Sequence, residues 1–183
     1  MWRNLFITFA ALLYFTVTES AKRPFMIEFH NITCTNDGRI MKQHVCQLQK
    51  IATNRFLSDE TMEFSQDLGE NTKLRFLVFY KMPFATKYIT FLNVTMGLCE
   101  LLKDKMPIVL VRTLVEELRK SSNIPYSCPL KKNFLYKLEN FTLTESIFPT
   151  YTPIVDFTFR SEYFENRRLL GTIQLQGATL KRS

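Results

Sequence analysis

The sequence predicts a mostly β fold, a two-sheet β sandwich or cup with one inserted α-helix. Three observations carry that expectation. Apolar residues alternate with polar ones at a period of two in about eight separate segments. One stretch alone, Ile108, Val111, Leu114, Val115 and Leu118, repeats at the three-and-four spacing of a helical face. Four cysteines bracket these units, with Cys99 and Cys128 on either side of the helical stretch.

In chain order, Phe25, Ile27 and Phe29 alternate with Glu28 and His30, which makes a half-buried strand ending near Cys34. Asn36-Asp37-Gly38 marks a turn, and His44 to Ile51 returns as a second strand, so that Cys34 and Cys46 face each other across a hairpin. A third strand is expected near Thr61 to Leu68. Gly69-Glu70-Asn71 then turns the chain into Lys73 to Tyr80, apolar on both faces and hence central or beside an internal cavity. After Pro83, Lys87 to Met96 places Tyr88, Thr90, Leu92, Val94 and Met96 on one side. The helix follows, with Asp104 and Pro107 suited to its first turn and Ser121, Ser122, Asn123 and Pro125 at its exit. Three strands complete the chain: one through Phe134, Tyr136 and Leu138 that ends by Asn140, one through Val155, Phe157 and Phe159, and Leu169 to Thr179 beyond a turn at Glu165-Asn166.

Arg3 and the 13-residue apolar run Leu5 to Val17 form a secretory signal peptide spanning residues 1–20. About 20 apolar residues are needed to cross a bilayer, so the run is too short for an anchor. Residues 21–183 then form one domain. The formal charge of +7 is scattered in pairs such as Lys131-Lys132 and Arg167-Arg168 rather than gathered in a run. Export excludes nucleic acid as a partner, and contact with a membrane surface or an extracellular receptor stays open.

An even count of four cysteines in an exported chain predicts two disulfides among Cys34, Cys46, Cys99 and Cys128. Of three connectivities, the sequential one closes the most local units. Asn31, Asn93 and Asn140 each head an N-glycosylation sequon. Catalysis has little to rest on. His30 and His44 lack a third metal ligand, no GxSxG, HExxH or phosphate-binding glycine loop is present, and no thiol is left over. The paired carboxylates Asp59-Glu60 and Glu116-Glu117 read as solvated charge. No enzyme activity, cofactor or metal is therefore expected.

The run Cys128-Pro129, Tyr136-Lys137-Leu138, Phe141, Pro149, a strand near Phe157, and Leu169 to Leu175 (LLGTIQL) resembles the carboxyl half of ganglioside activator proteins. Those belong to the ML lipid-recognition superfamily, an immunoglobulin-like two-sheet cup around an apolar cavity. Residues 25–180 resemble more closely a group of small secreted insect proteins of unassigned function that is related to that superfamily and includes chemosensory members. The resemblance implies a bridge between Cys99 and Cys128 across the helix. It also implies that a bond joining first to last strand is missing, because Thr172 stands where activator proteins carry cysteine.

The expected function is a secreted, non-catalytic binding protein that holds a lipid or small apolar molecule between its sheets. For the seventeen phenylalanines a packed core is the default reading, and the rival expectation is accordingly an extracellular interaction module with a filled core and no ligand. For the carrier, the expected lining is Phe76, Val78, Tyr80, Tyr88, Leu92, Met96, Tyr136, Phe157, Phe159 and Ile173. The helix face of Ile108, Val111, Leu114, Val115 and Leu118 would be a flap over it.

Overall fold

The computed structural model describes residues 23–103 and 108–182. The expected signal peptide and the residues Asp104 and Pro107 lie outside them. Eight antiparallel strands form two sheets: β1 (Phe25–Asn36), β2 (Met41–Ala52), β3 (Arg55–Phe64), β4 (Thr72–Lys81), β5 (Ile89–Gly97), β6 (Tyr136–Thr144), β7 (Asp156–Glu165) and β8 (Arg168–Lys181). The larger sheet runs β1-β8-β7-β4-β5 and the smaller β2-β3-β6. Between β5 and β6 lie a one-turn helix, α1 (Leu98–Leu102), and the amphipathic α2 (Val109–Lys120). The mostly β, two-sheet architecture with an inserted helix follows the alternation in the sequence.

Several local expectations need correction. β1 and β2 do not form a hairpin but open the edges of different sheets. Asp37 is the cause: its Oδ1 accepts from the backbone N–H groups of Arg39, Ile40 and Met41, which wraps the chain over a corner. The Cys34–Cys46 bond consequently staples sheet to sheet. β3 starts six residues earlier than expected, which places Asp59-Glu60 within a strand rather than a polar turn. β6 continues through Asn140, whose φ of 55° and N–H bond to Asp59 Oδ1 at 2.7 Å make a bulge instead of an end.

First and last strands are joined along their whole length, from Phe25 opposite Lys181 to Asn36 opposite Gly171. Where the missing cysteine would be, the hydroxyls of Thr35 and Thr172 are hydrogen-bonded at 2.9 Å. Gly171 is required beside them, because a Cβ there would lie 2.4 Å from the Thr35 carbonyl oxygen.

The interior divides into two apolar clusters. One gathers Met41, Phe64, Leu68, Leu74 and Phe76 with α1, and the other gathers Phe25, Ile27, Phe29, Phe56, Phe141 and Phe157. The helix α2 spans them: Val111 and Val115 join the first, while Leu114 and Leu118 pack on the second. Its Arg119 donates through Nη2 to the carbonyls of Leu101 and Leu102 at 3.1 and 2.6 Å, which seats α2 on the carboxyl end of α1. The Cys99–Cys128 bond fastens this insertion at its base.

Candidate functional site

Between the sheets, and under α2, lies a cavity of about 560 Å³. Its volume falls within the range of small-molecule sites. The two sheets supply opposite walls. β4 contributes Phe76, Val78 and Tyr80, β7 contributes Phe157 and Phe159, and β8 contributes Ile173 and Leu175, while Leu138, Phe141 and Leu143 of β6 face them. Val111, Leu114, Val115 and Leu118 of α2 form the third wall.

Local structure explains which sequence-derived residues meet here. Phe76, Val78, Tyr80, Leu92, Phe157, Phe159 and Ile173 all border the cavity, but Tyr88, Met96 and Tyr136 do not. Tyr88 is displaced by a bulge. The β4–β5 register skips between Val78 and Phe79, the added residue Phe91 enters the lining, and the alternation that would have carried Tyr88 inward is reversed. Tyr88 is 51% exposed as a result, with the Lys81 ammonium over its ring. Met96 does point inward but is covered within the first cluster, next to α1. Tyr136 packs on Phe64 and Phe134, and its hydroxyl bonds to the Lys131 backbone. Burial raises the pKa of that phenol above its usual value. Ile108, the residue that precedes α2, packs on the first cluster without reaching the cavity.

The sequence reading missed the mouth. β4 ends beside the start of β7, with Lys81 opposite Asp156, and there Met82, Phe91 and Tyr151 line the cavity while remaining 45%, 64% and 84% exposed. Phe84 and Ile154, close in the chain to Met82 and Tyr151, are exposed as well. Met82 and Tyr151 lie in loops without periodicity and Phe91 sits at the β5 bulge, so only the pairing of β4 with both β5 and β7 brings them together.

A polar step interrupts the apolar wall. Ser58 and Glu60 of β3 and Ser161 and Tyr163 of β7 border the cavity beside one another. Behind them His44, whose side chain is fully buried, bonds through Nε2 to Glu60 Oε1 at 2.9 Å and through Nδ1 to the Thr35 carbonyl at 2.8 Å. Burial, and then the charge of Glu60, push the Tyr163 phenol well above its ordinary pKa, so it stays protonated. His30, the other histidine, is exposed on β1.

The acceptor residues Asn31, Asn93 and Asn140 are all exposed, on β1, β5 and the β6 bulge. No helix among the described residues is long and apolar enough to cross a membrane. Fold and cavity define a class, a two-sheet β cup with an apolar chamber beneath an inserted helix. Residues 74–159, from β4 through both helices into β7, match the family model described as protein of unknown function (DUF1091). A family without assigned function is also what the sequence resemblance implies. No curated protein matches the chain.

Proposed function

We propose that this chain is an exported, glycosylated and non-catalytic carrier that shelters a lipid or other small apolar molecule between its two sheets. The observation that supports this reading is the cavity itself. It is lined almost entirely by apolar side chains from both sheets and α2, and a space of about 560 Å³ is large enough for a small apolar molecule. A module with a filled core would have no such chamber. The exposed rim of Met82, Phe91 and Tyr151 gives such an occupant an apolar path to the interior from a membrane surface or another protein. Two disulfides fit an oxidising, extracellular setting, and the three exposed acceptor asparagines fit glycan attachment there.

The test is native mass spectrometry of the chain secreted from insect cells, followed by organic extraction and by uptake of a fluorescent fatty-acid probe. One bound apolar molecule per chain is expected. Leu114→Trp, which fills the chamber from the helix side, should reduce probe uptake at least tenfold while leaving the protein folded. A wild-type preparation that carries no lipid and takes up no probe would end the carrier reading.

A further inference from the structure

The polar step in the cavity wall specifies which end of a ligand enters first and what that end carries. This rests on the carrier reading above. Along β7 the residues facing the cavity are Phe157, Phe159, Ser161 and Tyr163, in that order from the mouth inward. The six positions from Phe157 to Tyr163 span about 20 Å of strand, so the polar residues lie at the deep end. Across from them, Ser58 and Glu60 are the polar positions of β3.

The hydrogen-bonding capacity left over at this step is specific. A carbonyl only accepts, so the short contact of His44 Nδ1 with the Thr35 oxygen fixes a proton on Nδ1. Nε2 and Glu60 Oε1 then share a single proton between them. Among the described residues, Glu60 Oε2 has no hydrogen-bond partner and is free to accept. Tyr163, protonated and with the Ser161 hydroxyl beside its oxygen, has a proton to donate. An alcohol hydroxyl donates and accepts at once through a single uncharged atom. A carboxylate only accepts and so offers no proton to Glu60 Oε2, and an ester likewise cannot donate. The cationic lining residues do not offset this, since Arg119 is committed to the Leu101 and Leu102 carbonyls and Lys137 to Glu139 at 3.1 Å.

We propose that Glu60 and Tyr163, positioned by His44 and Ser161, receive the hydroxyl of a long-chain or similarly apolar alcohol that enters hydroxyl-first with its hydrocarbon toward the mouth. The test uses the full mature chain and three probes of equal chain length, hexadecanol, methyl palmitate and palmitate, each displacing a fluorescent reporter. Hexadecanol should bind about tenfold more tightly than either of the others. Tyr163→Phe should weaken hexadecanol about tenfold and methyl palmitate as well, because an ester carbonyl also accepts from the phenol, so the preference between these two rests on Glu60. Glu60→Gln keeps a partner for His44 and should erase the preference for hexadecanol over palmitate. Equal binding of all three probes, unaltered in both variants, would overturn the proposal and leave the carrier reading standing. Palmitate as the tightest ligand would overturn it in favour of the Arg119 and Lys137 side. Failure of every probe to displace the reporter would overturn both readings together.

Discussion

The two long sides of this sandwich are closed in opposite ways. Along β1 and β2 the sheets meet directly: Cys34–Cys46 joins them, Asp37 turns the chain from one to the other, and His44 reaches the Thr35 carbonyl across the gap. Nearby, Phe25, Ile27 and Phe56 are almost entirely buried, with Phe56 edge-on to Phe29 at 5.2 Å. Along β5 and β6 the sheets do not meet. The insertion α1 and α2 stands between them, and the chain after α2 attaches to the outer edge of β6 through Glu139 N–H to the Ser121 carbonyl and Asn123 N–H to the Lys137 carbonyl. Direct closure lets side chains interdigitate to crystal-like density, whereas closure by an interposed helix holds the sheets apart and leaves a chamber.

The sharpest way to break this comparison is to truncate one side chain on each side. Phe56→Ala removes a ring from the filled side and should cost about 4 kcal/mol in the urea unfolding free energy. Leu114→Ala removes atoms that already face open space, so it should cost less than about 1.5 kcal/mol in ligand-free protein. Equal losses would mean that the chamber is as tightly filled as the Phe56 cluster.

Disulfide removal gives the next largest effect. Loop-closure entropy assigns about 3 kcal/mol to Cys34–Cys46 and about 3.5 kcal/mol to Cys99–Cys128, from sequence separations of 12 and 29. Paired serine substitutions should therefore cost nearly the same in stability, and ligand uptake should tell them apart. Loss of Cys99–Cys128 releases the base of the helical insertion and should lower uptake, while loss of Cys34–Cys46 should leave it unchanged. Uptake that falls with the first pair instead would reverse the assignment of chamber and seam.

The same contrast explains what could be seen in the sequence. Strands such as β4 and β8 are legible because apolar residues recur at every second position, Leu74, Phe76, Val78 and Tyr80 in one and Leu169, Ile173 and Leu175 in the other, and α2 because its apolar stripe is continuous. The register of the core with those strands carried Phe76, Val78, Phe157 and Ile173 to the chamber. Where tertiary contacts override the local pattern, legibility ends. The carboxylates of Asp59-Glu60 make β3 look like a turn, since a half-buried glutamate makes sense only once His44 stands behind it. The bulge at Phe91 reverses Tyr88 without any glycine or proline to announce it. The five residues of α1 are too few to establish a helical period, and the turn at Asp37 reads like a hairpin until the carboxylate is seen binding three successive N–H groups.

The smallest effect concerns a third closure, at the end of the sandwich near the mouth. Glu145, in the 3-10 turn Glu145–Ile147, accepts from Arg182 Nη2 at 2.8 Å and from the Asn54 amide, and Asn54 Oδ1 in turn accepts from the Ile27 N–H at 2.6 Å. This network ties the start of β1 and the end of β8 to the turn whose Ile147 and the following Phe148 border the chamber. Burial alone would raise the Glu145 carboxyl, but the hydrogen bonds from Arg182 and Asn54 and the Arg182 charge hold it below its usual value of 4.5. A carboxylate with a lowered folded-state pKa contributes stability that is fully present above 4.5 and is lost as pH falls through the lower, folded value. Glu145→Gln should therefore cost about 1 kcal/mol at neutral pH, and the deficit relative to the parent protein should shrink to nothing as urea unfolding is repeated at progressively more acidic pH. A deficit that persisted in acid would show that shape rather than charge holds this end, and would make the mouth resemble the direct seam along β1 and β2 more than the helix-spanned side.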